Sequence, residues 1–143
     1  MKEHYKEREL KMKNKFSVKW KASKQPRKQR KYKANLPLHL RHKMLSAHLS
    51  KELRQKYGKR SFPVRKGDNV KVMKGEFNKK SGKINLVNLS KLKVAIEGIQ
   101  KQKKDGTKVN VYFSPSNLMI TELNLEDKER NEALKRSTNQ EKK

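Results

Sequence analysis

A short stretch rich in lysine and glycine, residues 67–84, holds the side chains with the clearest chemical potential. Lys79 and Lys80 lie between Gly75 and Gly82. Apolar and polar residues alternate on both sides, the period-two pattern of half-buried strands, so the sequence predicts a hairpin. Glycine reaches positive φ and allows close backbone approach, which makes the two glycines the structural residues of this turn. Lysines at its tip suit a phosphate ligand, although a hairpin with solvated lysines is the simpler alternative.

Residues suited to catalysis or metal binding are sparse. The chain has no cysteine, which excludes disulfides, thiolate nucleophiles and cysteine-based zinc sites. His39 and His42 share one face of a predicted helix, but no carboxylate nearby completes a metal site. Acidic residues in the predicted domain are scattered, and no His–carboxylate pairing is evident. We therefore expect no metal, no cofactor, no small-molecule substrate and no enzymatic activity; a small nuclease is the enzymatic alternative.

The charge balance points to a polyanionic partner. The 143 residues include 40 Lys+Arg and 14 Asp+Glu, for a net charge of +26, and only 31% are hydrophobic. Self-repulsion of this size opposes compaction unless a polyanion neutralises it, and nucleic acid is the favoured partner. A membrane surface is the alternative, but it requires an amphipathic helix with a broad apolar face, which only residues 36–53 could supply. No apolar run reaches the ~20 residues of a spanning helix, and no leader is evident, so we expect a cytoplasmic protein without membrane insertion.

The first part of the chain, residues 1–34, is predicted to be a basic extended arm. Residues 1–15 alternate charges and are expected to be disordered with local helix. Phe16 and Trp20 alternate with polar residues, which could form a short strand, stack on RNA bases or pin the arm to the domain. Residues 23–33 lack core-forming periodicity and contain Pro26, so we expect no continuous helix there. Ordering on RNA is favoured over a solvated tail for that segment.

Residues 35–60 are predicted to form two short helices that pack on the domain, on RNA or on both. The first begins at Asn35, which can cap it, with Pro37 in the first turn. The second begins after Ser50 and ends at Gly58, since serine and glycine are typical caps at those positions. Both helices are short and basic, so neither is expected to be stable alone.

Residues 61–125 are predicted to form a small β-barrel that closes its own edges. Five short strands follow from alternating apolar residues, and residues 99–108 are predicted to be a loop with a turn at Asp105-Gly106. Residues 126–136 are predicted to form a helix with little to bury, and residues 137–143 to be disordered. The predicted core positions are Val70, Val72, Ile84, Leu86, Val94, Ile96, Val109, Val111, Leu118 and Ile120.

The stretch at residues 67–84 resembles a KOW motif, which is named for this glycine-and-lysine turn. With the segments before it, at residues 49–57 and 61–68, the chain is similar to the archaeal and eukaryotic form of the large-subunit ribosomal protein L-twenty-four family. The resemblance runs from about Lys33 to Leu125. The family turn usually has a lysine–glycine pair where this chain has Asn78 and Lys79, which exchanges a flexible backbone for a charge.

The resemblance implies a mainly β fold, with a small SH3-like barrel preceded by a basic arm containing two short helices and followed by a short C-terminal helix. It implies a structural role in the large ribosomal subunit, with binding to the 5′ domain of the rRNA near the peptide exit tunnel and a part in early assembly. It also implies a neighbour of the L-twenty-nine family. The predicted RNA-binding residues are Lys19, Lys21, Arg27, Lys28, Arg30, Lys31, Lys33, His39, Arg41, His42, Lys43, Arg54, Lys59, Arg60, Arg65, Lys66, Lys71, Lys74, Lys79, Lys80 and Lys83.

A KOW-domain transcription elongation factor is the alternative function, because the turn by itself occurs in that class as well. Such factors usually place the motif after a separate α/β domain. The 66 residues that precede Gly67 in this chain cannot easily provide one. Copurification with RNA polymerase rather than with ribosomes would favour this alternative.

Overall fold

The computed structural model describes residues 14–138 of the chain. The chain divides after Pro37 into two compact units. The prediction of disorder for residues 1–15 lies outside the described residues except at residues 14 and 15, and the one for residues 137–143 lies outside them from residue 139 onward.

The N-terminal unit consists of a 3-10 helix, Val18–Ala22, and helix α1, Pro26–Ala34. Of the alternatives for Phe16 and Trp20, the short strand is ruled out because residues 18–22 form the 3-10 helix, and the expectation of no continuous helix after Ser23 is wrong. Pro26 occupies the first helical turn, where its missing N–H costs no hydrogen bond, so it starts the helix rather than preventing it.

Side-chain contacts within this unit explain why it is ordered. The Gln29 amide Nε2 donates to the carbonyls of Trp20, Lys21 and Ser23 at 3.2, 3.0 and 2.7 Å, which ties α1 to the 3-10 helix. The rings of Phe16 and Tyr32 stack with centroids 5.3 Å apart, and Tyr32 is buried. The aromatic residues of the arm thus contact each other and α1.

The second unit combines helices and strands. In chain order these are α2 Leu38–Met44, β1 Ser46–Leu49, α3 Lys51–Tyr57, β2 Ser61–Pro63, β3 Asn69–Val72, β4 Ser81–Asn88, β5 Lys93–Gln102, β6 Lys108–Phe113, a 3-10 helix Pro115–Asn117, β7 Leu118–Glu122 and α4 Lys128–Thr138. All five predicted strands are confirmed as β3 to β7. Strands β1 and β2 were not predicted.

The seven strands form one mixed sheet in the order β2-β1-β7-β3-β4-β5-β6. Neighbouring strands are antiparallel except β1 and β7, which pair in parallel through His48 with Met119 and Leu49 with Ile120. The described strand pairings do not join β6 back to the other edge, so the expectation of a closed barrel is wrong. Strands β1 and β2 extend the sheet beyond β7, so the edge strands are β2 and β6.

Most of the predicted core is confirmed. Val70, Val72, Ile84, Val94, Ile96, Leu118 and Ile120 are buried to 1% exposure or less. Leu86, in contrast, is 43% exposed because the β4–β5 register shifts between Ile84 and Leu86, which turns its side chain outward. Val109 is 36% exposed since it lies where the β5–β6 hairpin extends past the core, and Val111 is partly buried against the core.

The structure confirms one predicted helix start and corrects the other. Ser50 caps α3 by accepting a 3.4 Å hydrogen bond from the Leu53 amide, and Gly58 ends it at φ 62°. Asn35 does not start a helix. Its backbone N–H and its side-chain Nδ2 both donate to the Lys31 carbonyl at the end of α1, and α2 begins after Pro37.

The C-terminal helix α4 buries more than its sequence suggests. Leu134 is 1% exposed and belongs to the hydrophobic core, with Ala133 packed beside it, so the expectation that this helix has little to bury is wrong. The helix also continues through Thr138, beyond the point at which disorder was predicted. Within residues 14–138, none of the helices has the length and apolar character required to cross a membrane.

Candidate nucleic-acid interface

The turn between β3 and β4 presents the predicted cationic tip. Gly75 has φ +97° with open space around its Cα, and Lys79 has φ 70°. The Val72 amide donates to the Lys80 carbonyl at 2.8 Å, and the Lys79 amide donates to the Val72 carbonyl at 2.9 Å. These bonds fix the backbone of the tip while the side chains of Lys79 and Lys80 remain exposed.

Gly82 is required for a different reason. A Cβ at this position would lie 2.8 Å from a side-chain carbon of Ile96 and 2.9 Å from the carbonyl oxygen of Glu97. A backbone carbonyl at that distance cannot yield without shifting the neighbouring strand. Close approach of the neighbouring strand therefore explains why glycine suits this position.

Two further lysines continue the cationic surface from the tip along the strands. Lys71 pairs with Ser81 and Asn69 pairs with Lys83, so Lys71 and Lys83 are diagonal neighbours on the outer face of β3 and β4. The alternate residues of β3 are buried, which leaves this face as the one available to a ligand. Lys74 is exposed just beyond the end of β3.

The β5–β6 hairpin supplies a second basic tip that the predicted residue list lacked. Half of the predicted loop over residues 99–108 is strand, because β5 continues through Gln102 and β6 begins at Lys108, and the turn is confined to residues 103–107. Every residue from Gln100 to Asn110 is exposed, including Lys103, Lys104 and Lys108. The sequence did contain a signal for this second basic tip, namely the lysines on both sides of Asp105 and Gly106.

The turn of this hairpin is held by Asp105. Its Oδ1 accepts hydrogen bonds from the Thr107 hydroxyl at 2.6 Å and the Thr107 amide at 2.9 Å. The hydroxyl bond, and after it the amide bond, lowers the pKa of the Asp105 carboxyl. Gly106 follows at φ 85°, which confirms the predicted turn.

Helix α1 exposes most of its basic residues. Arg27, Lys28, Arg30 and Lys33 are exposed, whereas the Lys31 ammonium lies 4.9 Å from the centroid of the Trp20 ring and Lys31 is half-buried. Lys19 and Lys21 in the preceding 3-10 helix are also exposed. The folded N-terminal unit therefore displays a dense cationic surface.

In helices α2 and α3 the predicted residues differ in their surroundings. His39, His42 and Lys43 are exposed, and Arg41 is half-buried. Arg54 instead donates from Nε to the Leu49 carbonyl at 2.8 Å, which ties α3 to the end of β1. Arg54 therefore helps to hold α3 against the sheet.

Two more predicted RNA contacts are bonded to the C-terminal region. The Lys59 ammonium donates to the Ala133 carbonyl in α4, and Arg65 forms an ion pair with Asp127 just before α4. Arg60 and Lys66, adjacent to these residues in sequence, are exposed. The sequence does not distinguish the bonded Lys59 and Arg65 from the exposed Arg60 and Lys66, because the partners of Lys59 and Arg65 lie more than sixty positions away.

Asp68 and Arg130 form a buried ion pair that sequence reasoning missed. The Arg130 guanidinium donates to both carboxylate oxygens of Asp68 at 2.7 Å, and the side chains of Arg130 and Asp68 are 3% and 0% exposed. Asp68 also accepts from the amides of Arg65 and Asn124 at 2.8 and 2.9 Å. This network joins the loop before β3, the segment after β7 and α4, so Asp68 is a structural residue.

No grouping of His, Asp or Glu within the described part of the chain could hold a metal ion. A carboxylate near the β3–β4 tip is engaged with a cation, since Glu76 lies 2.5 Å from the Lys101 ammonium. The site is therefore a set of exposed cations on a sheet and short helices.

Two comparisons with known proteins both indicate a family of ribosomal proteins. Residues 23–137 match the model of a family described as ribosomal proteins, L26 in eukaryotes and L24 in archaea. The chain is 48% identical over 114 residues to a protein named large ribosomal subunit protein uL24 from Methanosphaera stadtmanae. The aligned region covers 80% of this chain and 97% of that relative.

Proposed function

The chain belongs to the family of ribosomal proteins that comprises eukaryotic L26 and archaeal L24, and from that premise we propose that it is a structural constituent of the large ribosomal subunit that binds rRNA. The relative from Methanosphaera is named for the large subunit, and nearly its whole length aligns. The role is in translation, within a ribonucleoprotein of the cytoplasm.

The observation that carries RNA binding is the distribution of exposed cations. The outer face of β3 and β4, the turn that joins them and the tip of the β5–β6 hairpin all carry exposed or partly exposed lysines. Helix α1 adds arginines and lysines of its own. A-form RNA is recognised mainly by its shape and its backbone, so cationic tips and helix faces suit it.

The finer assignments follow from the resemblance to the family. The RNA segment is the 5′ domain near the peptide exit tunnel, an L-twenty-nine family protein is a neighbour, and the chain assists early assembly. The five strands β3 to β7 correspond to an SH3-like KOW domain within residues 61–125. Residues 1–34 act as the arm, and the short helices within residues 35–60 pack on that domain and on RNA.

The mechanism is binding rather than catalysis. The sheet provides a docking shape, and the basic N-terminal segment neutralises phosphates between RNA helices. Counterion release drives association. Pure protein should not cleave RNA in the presence of magnesium.

Sedimentation of a cell extract tests this function. At moderate salt the protein should migrate with the large ribosomal subunit, and a high-salt wash should release part of it. Migration with RNA polymerase, or as free protein at all salt concentrations, would contradict the proposal. Antibody detection across a sucrose gradient is sufficient for the measurement.

A further inference from the structure

A small cleft at the β1–β2 edge of the sheet has the composition of an anion site. It is lined by Ser46, His48, Arg60, Ser61 and Ser116. These residues come from two strands, the residue before β2 and the 3-10 helix Pro115–Asn117, so the fold rather than local sequence brings them together. Arg60 is the one lining residue that belongs to the predicted RNA-binding residues, and the other four, Ser46, His48, Ser61 and Ser116, have no role assigned there.

Strand pairing places the lining residues on one face. His48 pairs with Ser61 in the antiparallel β1–β2 ladder, and Ser46 lies two residues before His48. The alternate residues Ala47 and Leu49 are buried in the core. Arg60 directly precedes β2, and its backbone carbonyl accepts a 3.0 Å hydrogen bond from the Leu49 amide, which fixes the position of its Cα beside the cleft.

The polar groups here are available to a ligand. Among the described residues, the side chains of His48, Arg60 and Ser61 form no hydrogen bond and no ion pair. Ser116 contacts the Ser114 hydroxyl at 3.0 Å, and either oxygen can be the donor, so its own proton can be redirected. Ser46 is different, because its hydroxyl already donates to the Lys43 carbonyl at 2.7 Å; it shapes the wall of the cleft.

The charge of the lining favours an anion. No Asp or Glu lines this cleft, whereas four other surface clefts of the same unit each include at least one carboxylate. A guanidinium, hydroxyls and an imidazole N–H are all hydrogen-bond donors, and together they match the oxygens of a phosphodiester. None of the residues that line the cleft has an apolar side chain, which favours a charged backbone phosphate over the stacking of a nucleotide base.

We propose that this cleft seats one phosphodiester of the RNA backbone, with Arg60 as the charged donor and Ser61 and Ser116 as neutral donors. The proposal rests on the proposed function, because it takes rRNA as the source of the phosphate. It adds a contact at the β1–β2 edge, on strands other than the two that form the lysine tip. The RNA would then contact this unit at the β1–β2 edge as well as at the tip.

Salt-dependent binding separates the two kinds of donor. Using the 5′ domain of large-subunit rRNA as the probe, Arg60→Gln should weaken binding by roughly three- to tenfold, as expected for one charge-assisted contact at a wet surface. It should also make the slope of log K against log salt less steep by about 1. The double variant Ser61→Ala with Ser116→Ala should weaken binding but leave the slope unchanged, since neutral donors release no counterions.

A matched control removes the same charge elsewhere. Lys91 lies in the turn between β4 and β5 and is not among the predicted RNA-binding residues. Lys91→Gln should therefore change neither the affinity for the RNA nor the slope of log K against log salt appreciably. If Arg60→Gln is indistinguishable from Lys91→Gln while the wild-type chain binds the RNA, the cleft proposal is wrong and the proposed function stands. If the wild-type chain itself shows no salt-dependent binding, the proposed function is wrong and this proposal with it.

The source of the phosphate is tested by NMR on the full chain. Addition of the rRNA probe should perturb the backbone amides of Ser61 and Ser116, and these changes should be lost in Arg60→Gln. Inorganic phosphate at matched ionic strength should perturb them far less. Perturbation by inorganic phosphate and not by RNA would identify a free-anion site and overturn the proposal.

Discussion

The basic residues around helix α4 and those at the β3–β4 tip share their chemistry but not their surroundings. Arg130 is buried and bonded to Asp68, and Lys59 donates to the Ala133 carbonyl. Lys79 and Lys80, in contrast, are exposed. The comparison teaches that in a chain of net charge +26 the partner of each cation, rather than its presence, decides whether it stabilises the fold or is available to RNA.

The largest effect is expected at the buried pair. Arg130→Met should lower the free energy of unfolding by about 3–5 kcal/mol, because it leaves the Asp68 carboxylate buried without a counterion. Thermal and urea unfolding followed by circular dichroism measure this loss. Arg136→Gln, at an exposed arginine on the same helix, is the matched control and should have little effect; equal midpoints for the two variants would contradict the structural role of the pair.

The reverse outcome is expected at the tip. Lys79→Ala combined with Lys80→Ala should weaken RNA binding roughly ten- to a hundredfold, since two phosphate contacts are lost. The thermal midpoint should change little, because both side chains are exposed and the contact of the Lys80 ammonium with the Phe77 ring, 5.2 Å from the ring centroid, lies at the protein surface. Loss of folding in this double variant would show that the lysines are structural and would remove the contrast between the two regions.

A single substitution at the tip should separate stability from binding. Lys79 has φ 70°, a left-handed conformation that costs a side-chain-bearing residue more than glycine. Lys79→Gly should therefore raise the free energy of unfolding by about 0.5–1 kcal/mol while weakening RNA binding. Lys80→Gly, one position later, serves as the control and should not be stabilising; if both glycine variants destabilise equally, the backbone at Lys79 is not strained.

The smallest effect concerns the β5–β6 tip and pH. Hydrogen bonds from Thr107 lower the pKa of Asp105, so the ionised form is favoured in the folded state. The stability they contribute is present above the ordinary pKa of about 3.9 and is lost as the pH falls through the lowered value. Thr107→Val should raise the Asp105 titration midpoint in carbon-detected NMR, whereas Thr107→Ser should not; an unchanged midpoint in Thr107→Val would contradict this assignment.

Sequence reasoning was successful where one local pattern determines structure. Strands β3 to β7 follow from alternating apolar residues, and α3 from its serine and glycine caps, because these signals lie within a few residues. Strand β1 was missed since its four residues are held by parallel pairing with β7, far along the chain. Helix α1 was missed because Gln29 and Tyr32 stabilise it through contacts that periodicity does not report.

The candidate site divides in the same way. The lysines of the β3–β4 tip could be predicted from the glycines that bracket them, and the structure places them on one exposed surface. The internal bonds of Lys59 and Arg65 could not be predicted, because their partners in and near α4 are more than sixty residues away. The same separation concealed the pairing of Asp68 with Arg130.

The central claim is that exposed cations on a small β scaffold bind the RNA backbone, and the salt dependence of that binding tests it most directly. The affinity of the full chain for the 5′ domain of large-subunit rRNA should be measured across a range of salt concentrations. If ~8 phosphates are neutralised, log K should fall against log salt with a slope of about −6 to −7. A nearly flat line would contradict the claim.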